Sequence, residues 1–482
     1  MEKKVLFLFQ EKQLRLFFAG KQEYLTSYNI FIYICKRMSI NTSYRQILSI
    51  SAPIMLASAA QNVITLSDGV FLYHLGEGDF ATIGFVGVYY MIMAVIGYGI
   101  SKGGQIMIAR RVGEHNYIEV GKTFYSMLYF ELFLSVLLFF FLRYGSSHLL
   151  DLFVDSKMIY QKSLEYLSFR SFGIFFSFTG VAIIALYTGI ARTKFLMWDT
   201  LILAAVNITL DYGLVFGHFG LPQMGIAGAG LASTIAEVVA VVVFIIYLAF
   251  DKKVRKYALN KIPKWDWELT GRQVRLAAPI VVQYFIGMAS WFTFFGIVEN
   301  LGERQLAISN LVRMVYMILA IPTMGFASGL NTLVSQFIGL KKRAAVIPIT
   351  WKAAYLNMAF TLGVALPVVL FPKKILYPLF GGTDTSLLVE ARPVLLVLFV
   401  ILMVFSIGAV FFNGLSGTGA TLFGMVIQIF VVALYLVYIY FIINYTNGGL
   451  TWAWASEILY WGLMFIVSYF YLKSKRWYAK KV

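Results

Sequence analysis

Residues 52–113, APIMLASAAQNVITLSDGVFLYHLGEGDFATIGFVGVYYMIMAVIGYGISKGGQIMIARRVG, are similar to residues 278–339 at an offset of 226 positions, without a gap. Both stretches begin with API, and they share an LGE turn, a YMI tripeptide and three glycines. Weaker similarity follows, and GIAGAGLASTIAE (225–237) aligns with GGLTWAWASE (448–457). The chain is therefore built from two copies of one unit.

The composition determines the environment of this unit. Of the 482 residues, 60% are apolar and only 13% are charged, with a mean hydropathy of +0.77. Soluble domains have about 25% charged residues, so this chain cannot form a water-facing surface. Disordered proteins and soluble nucleic-acid-binding modules are excluded for the same reason. A polytopic membrane protein is the class that remains.

Apolar runs long enough to span a membrane divide each copy into six segments. The runs lie at residues 47–73, 81–104, 120–142, 163–188, 196–216, 227–250, 273–298, 305–335, 346–371, 391–413, 420–444 and 450–472. Because six is an even number, both copies enter the membrane from the same side. The sequence predicts an all-α polytopic membrane protein with twelve transmembrane helices in two six-helix bundles. The bundles are related by a pseudo-two-fold axis along the membrane normal.

The domain boundaries follow from these runs. We predict an N-terminal extension, a first bundle, a cytoplasmic linker, a second bundle and a cytoplasmic tail, at residues 1–44, 45–250, 251–271, 272–472 and 473–482. The extension is basic and apolar but has neither a long apolar core nor a small-residue cleavage site, so a signal peptide is disfavoured. Two interpretations remain open, an amphipathic surface helix and a translation start at Met38.

Basic residues are distributed unequally between the two sets of loops. With both termini in the cytoplasm, the inside segments hold 29 Lys and Arg residues and the outside segments hold 6. This is the positive-inside pattern, and it predicts a multi-pass protein of the inner cell membrane with both termini cytoplasmic. It also accounts for most of the net charge of +17 without a nucleic acid partner.

Parallel repeats are typical of transporters in which the substrate crosses at the interface between two bundles. A membrane-embedded enzyme is disfavoured because the four histidines all lie at or beyond the ends of apolar runs, which leaves no histidine for acid–base chemistry at membrane depth. A receptor or a channel does not require the duplication, and both stay open as alternatives. We therefore predict a transporter and not an enzyme.

Polar residues at membrane depth are costly and mark functional sites. Asp68 lies late in the first run, and Asn207 and Asp211 lie four residues apart in the fifth, on one helix face. Carboxylate and amide oxygens are hard ligands that suit a hard cation, and burial favours the protonated form of a carboxylate. These three residues are candidate ligands for H+ or Na+. The alternative is that the two acids are solvated caps in the interfacial layer.

Other candidate residues concern motion and cargo. Pro53 interrupts the first helix and leaves a carbonyl group without a partner, so it is a candidate hinge, or a fixed kink. Candidates for lining a cargo cavity are Gln61, Tyr89, Met288 and Trp291, for which packing or lipid contact is the alternative. The charged residues Lys102, Glu131, Arg170, Glu237 and Arg313 fit either gating groups or structural ion pairs.

The chain resembles the multidrug and toxic compound extrusion (MATE) transporters from Tyr44 to Lys473. The similarity rests on the early Pro53, LSDGVFLYHLG, GISKGGQIMIARRVGEHN, NITLDYGLVFGHFGLPQMGIAGAGLAS and the duplicated halves. The resemblance implies a V-shaped pair of bundles, cation-coupled export and alternating access. No cofactor is expected apart from the coupling ion.

Within that family the chain is similar to the bacterial DinF-like branch. This likeness implies a cation site formed by Asp68, Asn207 and Asp211 with a hydroxyl group from the sixth helix, Ser233 or Thr234. Another branch uses acids on helices seven and ten, and neither corresponding run contains one here. We therefore expect ion coupling in the first bundle.

The predicted function is secondary active export of amphipathic or cationic organic compounds in exchange for H+ or Na+ by alternating access. The expected partners are small-molecule organic cargo and membrane lipids, without nucleic acid, and the chain is expected to act as a monomer. The alternative transport function is a flippase for lipid-linked saccharides or other lipid-like cargo. Lys102, Arg170 and Arg313 are too few and too scattered to favour binding of a pyrophosphate.

Overall fold

The computed structural model describes residues 43–252, 254–380, 386–446 and 448–479. The apolar runs form helices, the structure that satisfies every backbone hydrogen bond within one segment in a hydrocarbon environment. The N-terminal half contains α1 (Tyr44–Leu75), α2 (Glu77–Gly113), α3 (Tyr117–Phe140), α4 (Ser146–Phe153), α5 (Lys157–Gly189), α6 (Lys194–Phe216) and α7 (Ile226–Phe250).

The C-terminal half repeats this order after the linker. It contains α8 (Trp267–Glu299), α9 (Glu303–Leu319), α10 (Ile321–Gly339), α11 (Val346–Leu370), α12 (Pro372–Phe380), α13 (Ser386–Glu390), α14 (Arg392–Gly417), α15 (Thr421–Tyr445) and α16 (Gly449–Lys473). The short helices α4, α12 and α13 lie in connections between long helices, on the side of the protein opposite the linker.

Among the described residues, eleven helices are long and apolar enough to cross a membrane, and α9 and α10 together supply one further span. The helices α9 and α10 meet at 45°. Pro322 lies in the first turn of α10 and has no N–H group with which to continue the helix from α9. The twelve predicted spans are confirmed, and the eighth is broken near its middle.

The long helices pack as two bundles. In the N-terminal bundle α1 packs on α2 and α6, and α5 packs on α2, α3 and α7. In the C-terminal bundle α14 packs on α10, α11 and α16, and α8 packs on α15. The bundles meet where α1 contacts α10 and where α2 contacts α8 and α10. The predicted all-α fold with two six-helix bundles is confirmed.

Glycines bring the two bundles into close contact in a symmetric way. A Cβ added to Gly103 would lie 2.6 Å from Cβ of Ala277, and one added to Gly329 would lie 2.6 Å from Oγ of Ser51. The repeat offset of 226 converts the first pair of residues into the second. The contact of α2 with α8 and the contact of α10 with α1 are therefore related by the pseudo-two-fold axis that the sequence repeat predicts.

The N-terminal extension and the possible start at Met38 lie outside the described residues. The domain boundaries given above stay predictions.

Candidate functional site

Two carboxyl groups of the N-terminal bundle face each other. The carboxyl group of Asp68 on α1 lies within hydrogen-bonding reach of that of Asp211 on α6. Asp211 is completely buried, Asn207 one turn earlier is 1% exposed, and Asp68 is half-buried. The three residues predicted from the sequence are thus brought together, because α1 packs along α6. We call Asp68 and Asp211 the acid pair.

Several oxygens at this site have no hydrogen-bond donor. One oxygen of Asp68, the amide oxygen of Asn207 and both carboxyl oxygens of Asp211 are buried and accept no hydrogen bond from any described residue. Buried polar atoms without a partner are uncommon in native structures and call for an ion, a water molecule or a proton. Hard oxygens grouped in this way fit a small hard cation. A proton shared between the two carboxyl groups would satisfy part of the same set.

Ser233 on α7 supplies a hydroxyl group beside Asn207. Nδ2 of Asn207 donates a hydrogen bond to Oγ of Ser233 at 3.3 Å. The neighbouring Thr234 instead donates to the carbonyl oxygens of Phe169 and Gly230, at 3.1 Å and 2.9 Å. The sequence left open which of the two hydroxyl groups belongs to the site, and the structure places Ser233 beside Asn207.

The glycines of GIAGAG determine how closely α7 approaches its neighbours. A Cβ added to Gly228 would lie 2.6 Å from the carbonyl oxygen of Leu214 on α6, and one added to Gly230 would lie 2.6 Å from that of Tyr166 on α5. Only a residue without a side chain permits these approaches. The close packing of α7 on α6 brings Ser233 within reach of Asn207.

An ion pair lies next to the acid pair. Arg170 on α5 donates two hydrogen bonds to Glu237 on α7, at 2.8 Å and 2.6 Å, and its guanidinium group lies 4.1 Å from the ring centre of Tyr90. Arg170 is close enough to Asp68 for electrostatic attraction, and Tyr166 lies near both the ion pair and the acid pair. The sequence named Arg170 and Glu237 separately but could not pair them, and it missed Tyr166.

Pro53 lies inside α1, between the positions where α1 touches the other bundle. The helix continues through the proline, which removes the hydrogen bond to the carbonyl group of Ser49. On either side of Pro53, Ser51 contacts Gly329 and Met55 contacts Gly325. The candidate hinge is therefore part of the contact between the bundles.

The four candidates for cavity lining have different surroundings. The hydroxyl group of Tyr89 is 2.7 Å from that of Ser146, and the ring of Trp291 stacks on Tyr316 with centroids 5.8 Å apart. Both side chains thus make contacts within their own bundle. Gln61 on α1 is exposed and Met288 on α8 is half-buried. A role in cargo binding stays a prediction for all four residues.

Exposed side chains on the helices of the bundle interface indicate a cleft between the bundles on the side away from the linker. Tyr98 on α2 and its repeat counterpart Met324 on α10 are 48% and 52% exposed, although both lie on helices at the bundle interface. Seven residues earlier in each copy, Met91 and its repeat counterpart Met317 are also exposed. Aromatic and methionine side chains form adaptable apolar surfaces. The cleft therefore offers an apolar surface to an organic molecule.

The family is shown by comparison with known proteins. A model of the MatE family matches residues 53–213 and again residues 279–441. The two matches begin at Pro53 and Pro279, which the repeat offset pairs. The chain belongs to the MatE family. This confirms the predicted family, and because MatE proteins are membrane transporters, the chain is a transporter and not an enzyme.

Similar proteins agree with this MatE assignment. A probable multidrug resistance protein NorM from Thermotoga maritima is 23% identical over 440 residues, which are 89% of this chain and 92% of that protein. An outward-facing multidrug resistance MATE family transporter of the MOP superfamily superposes with a TM-score of 0.82 at 19% identity, covering 90% of this chain and 96% of that chain. A MOP superfamily transporter from Pyrococcus furiosus Vc1 gives 0.81 at 19% identity, covering 89% and 95%.

Proposed function

We propose that this MatE transporter exports amphipathic or cationic organic compounds in exchange for H+ or Na+ by alternating access. Its relatives are named multidrug resistance proteins, which supports export of varied organic cargo. The exposed apolar walls of the cleft support binding of an amphipathic molecule. The site around the acid pair supports ion coupling.

The observation that carries the coupling is the set of donor-free oxygens in the N-terminal bundle. Asp68, Asn207 and Asp211 present buried oxygens that accept no hydrogen bond from the described part of the chain. Two carboxylates held together repel each other unless a proton or a cation lies between them. Binding of H+ or Na+ removes this repulsion, so the ion stabilises the arrangement in which α1 lies against α6.

The exchange requires that the ion and the cargo favour different conformations. An ion shifts a conformational equilibrium only by its difference in affinity for the two states. We propose that α1 bends at Pro53 when the acid pair changes its occupancy. Because Pro53 lies among the contacts with α10, such a bend would alter the interface between the bundles. Ion binding would thereby change access to the cleft.

We place the chain in the inner cell membrane with both termini in the cytoplasm, acting as a monomer among membrane lipids. The 29 basic residues on the linker side against 6 on the other side support this orientation. The cleft then opens to the outside, and the close glycine contacts lie on the cytoplasmic side. With this orientation, we propose that the arrangement of the bundles is the outward-open state of the cycle.

The test is counterflow of a fluorescent dye in proteoliposomes, with the pH gradient and the Na+ gradient varied separately. One of the two gradients should drive export by the wild type, and Asp68→Asn should abolish the response to that gradient. Glu457→Gln, which neutralises a buried acid in the other bundle, should retain the response. Gradient-driven export that persists in Asp68→Asn contradicts the proposed coupling.

A further inference from the structure

A lysine forms the floor of the cleft. Nζ of Lys102 on α2 donates hydrogen bonds to Oγ of Ser328 on α10 at 3.0 Å and to Oε1 of Gln105 at 3.4 Å. Ser328 is the repeat counterpart of Lys102, so the two side chains meet near the pseudo-two-fold axis between the bundles. One turn before Lys102 on the same face of α2 lies the exposed Tyr98.

The interface is closed directly below this lysine. Gln105 is buried and donates to Oγ1 of Thr332 at 2.9 Å, across the contact between α2 and α10. Gly103 and Gly329 close the neighbouring contacts with α8 and α1. Lys102 itself is half-buried, whereas the residues that follow it to Arg110 are buried. The ammonium group therefore lies at the point where the open cleft ends.

Lys102 has only neutral partners. Among the described residues it forms no ion pair, whereas Arg170 and Lys162 of the same bundle contact carboxylates at 2.6 Å. An ammonium group without an anion at membrane depth is costly, and such groups mark substrate pathways. Hydroxyl and amide oxygens offset only part of this cost. The partner that completes the site must carry negative charge and must reach it through the cleft.

A second cation without an ion pair lies on α9. Arg313 on α9 is one turn before the exposed Met317, and its guanidinium group lies 5.1 Å from the ring centre of Phe295. It is half-buried and forms no ion pair with a described residue. Lys102 and Arg313 are thus two cations that have no carboxylate partner among the described residues.

We propose that Lys102 binds an acidic group of the cargo, and that the preferred cargo is an amphiphile with a carboxylate, sulfonate or phosphate on an apolar body. This inference rests on the proposed transport function and narrows its amphipathic cargo to molecules that carry an acidic group. The acidic group replaces Ser328 and Gln105 as the partner of Lys102. The apolar body lies against Tyr98, Met324 and the other exposed side chains of the walls.

The experiment compares two dyes that differ in one charge, a rhodamine with a free carboxylate and its ethyl ester. Binding to the purified full-length protein is followed by fluorescence anisotropy, and export is followed in proteoliposomes. The wild type should bind the acid about tenfold more tightly than the ester, a difference of about 1.4 kcal/mol. Lys102→Met should remove this preference by weakening acid binding alone, and Lys102→Arg should retain it.

Ser328→Ala tests the competing explanation, in which Lys102 only holds the bundles together. If Lys102 recognises the acid, Ser328→Ala retains the preference for the acid. Equal losses for both dyes in Lys102→Met and in Ser328→Ala would show a structural latch and overturn the proposal. A wild type that binds both dyes equally would also overturn it.

The source of the acidic group is identified by competition. Dioctanoyl phosphatidylglycerol that displaces the acid dye from the wild type but not from Lys102→Met at equal dye occupancy identifies a lipid headgroup, and weak displacement from both identifies a soluble organic acid. Either result supports an anion site at Lys102. Failure of the transport function would appear as absence of export by the wild type, while the preference in binding would still be measurable.

Discussion

The two bundles share one scaffold but differ in what fills equivalent positions. The repeat offset places Phe294 of α8 where α1 has Asp68. Phe294 packs on Tyr435 of α15 and Trp454 of α16, with ring centroids 6.4 Å and 5.4 Å apart. The N-terminal bundle thus holds donor-free oxygens at a place where the C-terminal bundle holds packed aromatic rings. The same fold thus holds unpaired oxygens, the proposed ion ligands, in one half and packed apolar rings in the other.

A pair of glutamates shows the same divergence. Glu237 on α7 and Glu457 on α16 lie on the last long helix of their bundles, where Glu237 is half-buried and Glu457 is buried. Glu237 is held by Arg170 through two hydrogen bonds, whereas Glu457 accepts one from Nε1 of Trp461 at 3.1 Å and lies beside the hydroxyl group of Tyr435. The carboxyl group of Glu237 is therefore balanced by a cation, whereas that of Glu457 is surrounded by neutral donors.

The largest effect is expected from removing the arginine of the N-terminal bundle. Arg170→Met leaves Glu237 buried without its cation, which should lower the free energy of unfolding by about 3–5 kcal/mol. Thermal unfolding of the purified protein in detergent measures this change. The double variant Arg170→Met/Glu237→Gln should recover most of the loss, because no unpaired charge then remains.

Glu457 of the C-terminal bundle provides the matching test. Glu457→Gln retains the shape of the side chain and leaves no cation behind, so it should change the free energy of unfolding by less than about 1 kcal/mol. A loss as large as that of Arg170→Met would contradict the difference between the two bundles.

The sequence could predict the architecture because its signals are local or periodic. Run length and hydropathy determined the twelve spans, and the offset of 226 determined their arrangement in two bundles. Asn207 and Asp211 are four residues apart, so helical geometry alone placed them on one face. The break between α9 and α10 was missed, because the apolar run continues through Pro322.

Contacts between helices could not be predicted in the same way. Arg170 and Glu237 are 67 residues apart, and nothing in the spacing of charges indicates that they meet. The choice between Ser233 and Thr234 depends on the rotation of α7 against α6, which the glycines of the GIAGAG motif determine. Glu457 was missed as a buried acid, although it is the only charged residue of the last apolar run, 450–472, which was a signal that could have found it.

Where the bundles are alike, equivalent substitutions should have equal effects. Gly113→Ala and Gly339→Ala are related by the repeat offset. Each adds a Cβ that would clash with a backbone carbonyl oxygen of the other bundle, that of Gln336 and that of Arg110 respectively. Overpacking of this kind costs about 1–3 kcal/mol, so both variants should lose similar stability in thermal unfolding. Gly84→Ala on α2 is the control, since an added Cβ there meets no atom within 4 Å. Strongly unequal losses at the first two positions would contradict the symmetry of the contact.

A smaller effect is expected at the edge of the ion site. Ser233→Ala removes the acceptor of the Asn207 amide and should weaken binding of the coupling ion about tenfold, or about 1.4 kcal/mol. Thr234→Ala removes only hydrogen bonds to backbone carbonyl groups and should weaken ion binding less. The ion dependence of dye export gives the apparent affinity of each variant. A larger loss of ion affinity for Thr234→Ala than for Ser233→Ala would contradict the assignment of Ser233 to the site.

The central claim is that the coupling ion binds in the N-terminal bundle, and direct ion binding by the purified protein tests it. Calorimetric titration with Na+, and proton uptake in weak buffer, would be compared for the wild type, Asp211→Asn and Glu457→Gln. We predict equal binding by the wild type and Glu457→Gln, and a loss of at least about a hundredfold in affinity for Asp211→Asn, or about 2.7 kcal/mol. Binding that survives in Asp211→Asn and disappears in Glu457→Gln would place the ion in the other bundle and contradict the claim.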